Sequence, residues 1–383
     1  MVETLPAADY IEFARPFPMH RGGVLEDFRL TYETFGQLND RRDNIVLVLP
    51  GMSANSHVCS VARDPEAGWW EDFAGSGKPI DTDRWYVICF NYLGGCKGST
   101  GPLSTERASG RPYQSRFPEL SIEDIVDTIV MAVKALGMAQ VTCLIGASMG
   151  GMCALALLTR HPGFVRHHIN LCGAASSLPV STALRSLQRE AIRSDPLWAG
   201  GEYSPDARPI HGMTLARKIG LLSYRSGAQL NRRFSRSDQA AGKSAGMTHD
   251  FEVEDYLQAN AWRFARDFDP NSYLQLSRAI DLYACLTPPQ GGFQTTGLEQ
   301  VLVVGVESDT LFPVAQQQHI AQGLEQDGAE VTFVRLDCPD GHDAFLTDLR
   351  AFGPLLEHFM NRIGSVLPAG RAERCLELHD ERF

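Results

Sequence analysis

Apolar positions along this chain gather into short unbroken runs, and amphipathic stretches lie between them. NIVLVLP (44–50), RWYVICFN (84–91), VTCLIGAS (141–148), HHINLCG (167–173), QVLVVGVESD (300–309) and VTFVRLD (331–337) are β-rich and almost wholly apolar. Strands of that kind belong to a parallel sheet covered on both faces. SIEDIVDTIVMAVKALG (121–137) has helical spacing, opens with Ser121 and Asp124 in a capping-box arrangement and closes at Gly137. PVAQQQHIAQGLEQDG (313–328) starts with proline in its first turn and stops at glycine. Alternation of β and α with short links predicts an α/β, doubly wound, mostly parallel sheet.

The alternation fails between about 175 and 290. VSTALRSLQREAIRSD, LARKIGLLSYRSG, VEDYLQANAWRFARDF and SYLQLSRAIDLYACL have helical spacing, and strand runs return only at Gln300. The pattern therefore predicts a first core part over 1–174, a helical insertion over 175–290 and a second core part over 291–365. The charged tail, 366–383, reads as a loosely held terminal helix.

Composition narrows the function classes. The 383 residues are 44% hydrophobic, enough for a sizeable core, and the net charge is −11. No basic block suits a nucleic-acid partner. No apolar run approaches the roughly 18 residues of a membrane span, and the N-terminus lacks a basic segment followed by an apolar one. Nine cysteines are scattered singly, with no C-x-x-C pair. Cys89, Cys143 and Cys172 sit inside apolar runs, which suits buried thiols in a reducing cytoplasm better than disulfides or a metal site. No bound cofactor or metal is expected.

The chemistry centres on Gly146-Ala147-Ser148-Met149-Gly150, a G-x-S-x-G between an apolar run and a helical stretch. Small residues two before and two after the serine let strand and helix approach, and the turn lifts the hydroxyl above the sheet. A serine nucleophile needs a base, and the base needs an orienting carboxylate. Of eleven histidines, His167 and His168 open a strand, His319 and His358 lie on helices, and His379 is in the tail. His342, in CPDGHDAFL, follows the last strand and a glycine turn, where the base belongs. Asp309 ends the preceding strand run. Glu307 is the rival carboxylate: alternation puts it on the same side but deeper, so Asp309 is better placed. An oxyanion hole needs two backbone N–H groups. Met149 supplies one, and the loop PGMSANSH supplies the other, at Met52.

These residues, with NYLGGCKGSTGP (91–102), resemble the homoserine O-acetyltransferase family of the α/β-hydrolase superfamily, which includes serine and homoserine O-acetyl- and O-succinyltransferases. The resemblance runs over about residues 15 to 362, through GASMGGM, RSLQREAIRSDPLWAGGEY, LARKIGLLSYRS, FDPNSYLQLSRAID, SDTLFPVAQQQ and GHDAF. It implies a ping-pong transfer in which Ser148 takes an acyl group from acetyl-CoA or succinyl-CoA and passes it to the hydroxyl of an amino acid. It also implies that Arg217 grips the α-carboxylate, that Tyr224 hydrogen-bonds and that Asp343 holds the α-ammonium. The helical insertion becomes a lid over the serine whose helices also build a homodimer.

FPELSIEDIVDTIV and RSLQREAIRSDP look more like the serine-acylating branch, so L-serine is the expected acceptor and L-homoserine the alternative. Acetyl is the expected donor group. Succinyl carries a further carboxylate and would need a cation or several donors near Ser148, which the sequence does not place. An esterase or thioesterase could use the same triad, but has no need of Arg217, Tyr224 and Asp343. A non-catalytic relative would lack a triad member, and here all three are present in order.

Overall fold

The computed structural model describes residues 8–234, 251–285 and 292–365. Eight strands form one sheet: β1 Asp9–Phe13, β2 Phe28–Phe35, β3 Ile45–Leu49, β4 Tyr86–Phe90, β5 Val141–Ala147, β6 Val165–Leu171, β7 Gln300–Val306 and β8 Glu330–Leu336. Their order is β1-β2-β4-β3-β5-β6-β7-β8. β2 pairs antiparallel with both β1 and β4, and every other pairing is parallel. The six apolar runs are the six parallel strands. The two N-terminal strands carry no such run: DYIEF is polar at the sheet edge, and FRLTYETF alternates and hides a fully buried Glu33.

The unbroken apolar strands follow from two covered faces. In β3, Ile45, Leu47 and Leu49 join the core beneath α1 (Ile122–Ala135) and α2 (Met149–Arg160). Val46 and Val48 turn the other way, onto Trp70, Phe352 and Leu356. The capping box at Ser121 forms: its Oγ accepts from the Asp124 N–H, and the Asp124 carboxylate accepts from the Ser121 N–H at 2.9 Å.

Between β6 and β7 the chain leaves the sheet. It runs through α3 (Pro179–Ser194), α4 (Ile210–Tyr224), α5 (Gly227–Arg233), α6 (Glu252–Asp267) and α7 (Pro270–Leu282). The ends of this excursion meet at a bridge between Ser176 and Ala284, where the Cys285 N–H donates to the Ala175 carbonyl at 2.8 Å. α4 packs between α3 and α6. The chain then re-enters the sheet at β7 and finishes with α8 (Val314–Gln326), β8 and α9 (Leu349–Ser365). The tail over 366–383 lies outside the described residues, and so does His379. No described helix is long and apolar enough to cross a membrane.

Candidate active site

The G-x-S-x-G stretch folds as a sharp turn from β5 into α2. Ser148 has φ 56° and ψ −119°, an unfavourable conformation for a residue with a Cβ. The surroundings over-determine it. Its N–H donates to the Leu171 carbonyl of β6 at 2.9 Å, and its own carbonyl accepts from the Gly151 N–H at 2.9 Å. The flanking glycines are steric necessities. A Cβ on Gly150 would lie 1.9 Å from the Leu49 carbonyl oxygen, and one on Gly146 would lie 2.3 Å from the Gly150 carbonyl oxygen.

Three side chains meet at this turn. His342 Nε2 is 2.6 Å from Ser148 Oγ, and His342 Nδ1 is 2.6 Å from Asp309 Oδ2. Asp309 is itself fixed, because its Oδ1 accepts from the Leu311 and Phe312 N–H groups, both at 2.9 Å. Phe312 and Phe345 stand edge-on to the imidazole and exclude water from it. Burial alone would lower the His342 pKa, but the Asp309 charge and hydrogen bond outweigh it and the net shift is upward. Asp309 thus favours the imidazolium that a proton from Ser148 would create.

The rival carboxylate goes elsewhere. β7 ends at Val306, so strand alternation does not extend to 307–309. Glu307 is instead at the surface, paired with Arg335 of β8 at 2.6 Å. The expectation that it lies on the same side as Asp309 is corrected accordingly.

Met52 and Met149 border the same small cavity as Ser148. Met149 opens α2, so its N–H has no intrahelical acceptor. The Met52 N–H, in the loop after β3, donates to no acceptor among the described residues. Both amides are free to receive a developing oxyanion.

A second cavity of about 100 Å³ opens on the outer side of Ser148. Met52, Trp69, Arg217, Tyr224, His342 and Asp343 line it. Arg217 and Tyr224 project from α4 two turns apart, with the guanidinium 5.3 Å from the Tyr224 ring centroid. That guanidinium also lies 4.2 Å over Phe264 and donates to Ser53 Oγ at 3.3 Å. It pairs with no carboxylate among the described residues. Asp343 follows the catalytic-position histidine and lies 3.4 Å from Arg225. Burial pushes its pKa up, against the opposing charges of Arg225, His342 and Arg217.

Comparison with known proteins places this geometry. The model for the α/β-hydrolase fold matches residues 44–349. An L-serine/homoserine O-acetyltransferase of Streptomyces lavendulae is 51% identical over 93% of this chain and 97% of its own length. A serine O-succinyltransferase of Xanthomonas campestris pv. campestris is 49% identical over 94% of this chain and 99% of its own. The chain belongs to the α/β-hydrolase family of serine and homoserine O-acyltransferases. It is an enzyme of the O-acyltransferase type. The crystal structure of esterase E22 superposes with a TM-score of 0.80 at 26% identity, covering 92% of this chain and 99% of that one. The shared fold therefore hosts more than one fate for an acyl group.

Two residues of this O-acyltransferase escaped sequence reasoning. Arg185 and Gln188, on α3, line the inner cavity of about 40 Å³ together with Ser148, Met52 and Met149. Arg185 is 95% buried (5% exposed). Its Nε donates to Asp281 Oδ1 at 2.7 Å and its Nη2 to Ser177 Oγ at 2.6 Å, while Nη1 has no partner among the described residues. Arg189 takes the other Asp281 oxygen at 2.6 Å. Two guanidiniums thus share one carboxylate, which leaves a buried positive charge beside the serine. Gln188 accepts from Tyr273 Oη at 2.5 Å through Oε1, and its amide nitrogen makes no bond within the described residues. On a helical wheel both residues read as a solvated face; only the excess of cation at a buried site gives them away.

Proposed function

We propose that this enzyme moves an acyl group from acyl-CoA, through an acyl-enzyme on Ser148, to the side-chain hydroxyl of L-serine. The observation that carries this reading is Arg217. Its guanidinium has no carboxylate partner among the described residues and stands on the wall of a cavity shared by Ser148, His342 and Asp343. Hydrolysis needs no such cation. An amino acid does, because its α-carboxylate is a planar bidentate match for the guanidinium.

In this mechanism Ser148 Oγ attacks the thioester carbonyl while His342 Nε2 takes the hydroxyl proton. The tetrahedral oxyanion faces the Met52 and Met149 N–H groups. Collapse breaks the carbon–sulfur bond, and His342 returns the proton to the departing thiolate of CoA. The acceptor then enters the outer cavity, with its carboxylate on Arg217 and its ammonium on Asp343, and Tyr224 hydrogen-bonds it. His342 deprotonates its hydroxyl, which attacks the acyl-serine carbonyl; collapse breaks the ester bond to Ser148, and His342 returns the proton to Ser148 Oγ. The helices between β6 and β7 act as a lid that keeps the cavity dry, so that an amino-acid hydroxyl outcompetes water.

For the donor, the inner cavity supports succinyl over the acetyl expected from sequence. At about 10–15 Å³ per water, its roughly 40 Å³ holds about three waters. That is close to the size of the CH₂–COO⁻ portion by which succinyl exceeds acetyl. Arg185 and Gln188 are both among the residues of its wall. Serine as acceptor agrees with the names of both relatives, and homoserine remains the second reading because the Streptomyces relative is named for both. One methylene separates the acceptors, worth about 1–3 kcal/mol.

A homodimer fits the exposed apolar stripes of the lid helices. Val180 and Leu187 on α3, Leu215 and Leu222 on α4 and Trp262 on α6 are 40 to 56% exposed, with seven-residue spacing within α3 and within α4. The eight described cysteines are free, and that suits a reducing cytoplasm. The reaction belongs to amino-acid biosynthesis leading to cysteine or methionine. The test is a matrix of acetyl-CoA and succinyl-CoA against L-serine and L-homoserine, comparing kcat/KM in each cell. The expected maximum is succinyl-CoA with L-serine. CoA release that is equally fast without any amino acid would replace the transferase reading with a thioesterase.

A further inference from the structure

Behind the loop that carries Met52 lies a buried ionic network that the proposed mechanism does not use. Glu33 stands on β2 and is fully buried, opposite Cys89 of β4. Its Oε2 lies 2.8 Å from His57 Nδ1, and its Oε1 accepts from Ser56 Oγ at 2.9 Å. His57 Nε2 lies 2.8 Å from the Glu66 carbonyl oxygen. Both ring nitrogens therefore face acceptors, a carboxylate and a carbonyl. An imidazole with a proton on each nitrogen donates to both. His57 is 6% exposed and held against Glu33, with Asp64 4.0 Å away as a second acid, surroundings that favour its imidazolium form. Burial opposes this state, but the Glu33 hydrogen bond, the Glu66 carbonyl and the two nearby carboxylates raise the His57 pKa.

Stability alone is a weak reason for such a pair, since apolar residues of the same volume are often at least as stabilising in a buried site. What the pair does is fix a backbone. Ser56 is held additionally by Asn91, whose Oδ1 accepts from the Ser56 N–H at 2.9 Å. The Asn55 carbonyl accepts from Trp69 Nε1 at 2.9 Å. The front of the same loop holds the Met52 N–H and Ser53, the residue that meets Arg217. The loop is thus clamped at Asn55 to His57, and its working amide lies three residues from the clamp.

We propose that Glu33 and His57 are positioning residues that hold the Met52 N–H at the distance the oxyanion requires. The inference rests on the acyl-transfer reading above and on Met52 as one of the two oxyanion donors. An oxyanion donor acts in the transition state, so its displacement slows acylation without weakening donor binding. A misplacement of about 1 Å can change a rate on the order of 10²-fold.

The test uses the full chain with Glu33→Gln and His57→Gln. Single-turnover acylation of Ser148 by succinyl-CoA is measured as the CoA burst, over a range of donor concentration, alongside thermal unfolding. The expected result is a fall of about 10- to 100-fold in the acylation rate at saturating donor, somewhat below the roughly 10²–10³-fold of deleting an oxyanion donor. The half-saturating donor concentration should stay within about threefold, in protein that still unfolds cooperatively. A saturating rate less than tenfold below wild type overturns the inference. So does a larger loss accompanied by an equal shift in half-saturation. Should His57→Gln fail to fold, Glu33→Gln carries the test, because it preserves shape and the Ser56 contact. Failure of both to fold also overturns it, since the pair then supports the fold and not the loop. If wild-type Ser148 is never acylated, the acyl-transfer reading falls and takes this inference with it. Normal wild-type acylation with unaffected variants removes the inference alone.

Discussion

Arg185→Met is the substitution that bears most directly on the donor. The wild-type site holds two guanidiniums, Arg185 and Arg189, against the single carboxylate of Asp281. Methionine keeps the length and much of the volume of the arginine stem and removes the charge. Asp281 is not stranded, because Arg189 Nη1 remains at 2.6 Å and Thr182 Oγ1 at 3.1 Å. The excess positive charge beside the inner cavity disappears, and a buried ion pair remains. The substitution is therefore expected to leave the fold intact while removing the partner of a succinyl carboxylate.

The magnitude follows from the contact that is lost. A hydrogen bond to a charged group contributes about 1.5–3 kcal/mol, and about 1.4 kcal/mol is a tenfold change in rate. Succinyl-CoA should lose about 10- to 150-fold in kcat/KM. Acetyl-CoA has no carboxylate to place in the cavity and should change by less than about threefold. The assay is release of the CoA thiol with each donor at fixed L-serine, and the decisive quantity is the ratio of the two kcat/KM values, in which general damage cancels. Arg185→Lys should fall between, because an ammonium keeps the charge but not the planar fork. A succinyl-to-acetyl ratio that is unchanged in Arg185→Met refutes the reasoning. So does a wild type that prefers acetyl-CoA.

Further outcomes follow from the same geometry. Ser148→Ala should abolish turnover with every donor and acceptor pair, as measured by CoA release. Arg217→Ala should preserve the acylation burst and raise the acceptor KM by at least tenfold; loss of the burst to the same extent would remove its assigned role. Acylation needs neutral His342, and Asp309 holds the His342 pKa above its usual value, so the acylation rate should fall as pH drops through a midpoint above about 6.5. A pH–rate profile with its acid limb at or below that value contradicts the pairing. Away from the site, burial would raise the Asp127 pKa, but the His161 and Arg160 hydrogen bonds and charges bring it down to about 2. A depressed carboxylate stabilises above its unfolded value and ceases to do so as pH falls through the folded one. Asp127→Asn should therefore lose about 2 kcal/mol at pH 7 and progressively less towards pH 2, read as the difference in Tm between variant and wild type at each pH.

What the sequence disclosed, and what it hid, divides along the range of the interactions involved. The six parallel strands are legible because burial on both faces writes an unbroken apolar run. β2 is not, because its interior position 33 holds a glutamate, and a charge within a short alternating segment reads as an outward face. Ser148 is legible because the steric demands of its turn are local: the carbonyl oxygens of Leu49 and Gly150 forbid side chains at Gly150 and Gly146. His342 and Asp309 follow from chain order. Asp309 is preferred over Glu307 as expected, but Glu307 does not share its side, because the strand ends at Val306 and alternation stops there.

The charges proposed to set specificity are harder to read, since what matters about them is how their partners are shared out. Arg185 looks like any arginine of an amphipathic helix until α3 crosses α7 and brings Asp281 under two guanidiniums at once. Arg217 looks the same until Phe264 and Tyr224 occupy the space that an acid would take. Arg225, on the same segment as Arg217, is instead paired with Asp343. In a chain with eleven more acidic than basic charges, an arginine without its own carboxylate is a notable arrangement. Here Arg185, which shares Asp281 with Arg189, and Arg217 line two cavities that both reach Ser148. A hydrolase acting on a neutral ester needs neither. An enzyme that takes a dicarboxylic acyl group from one side and an amino acid from the other needs both, and needs them in separate pockets so that neither carboxylate occupies the other's place.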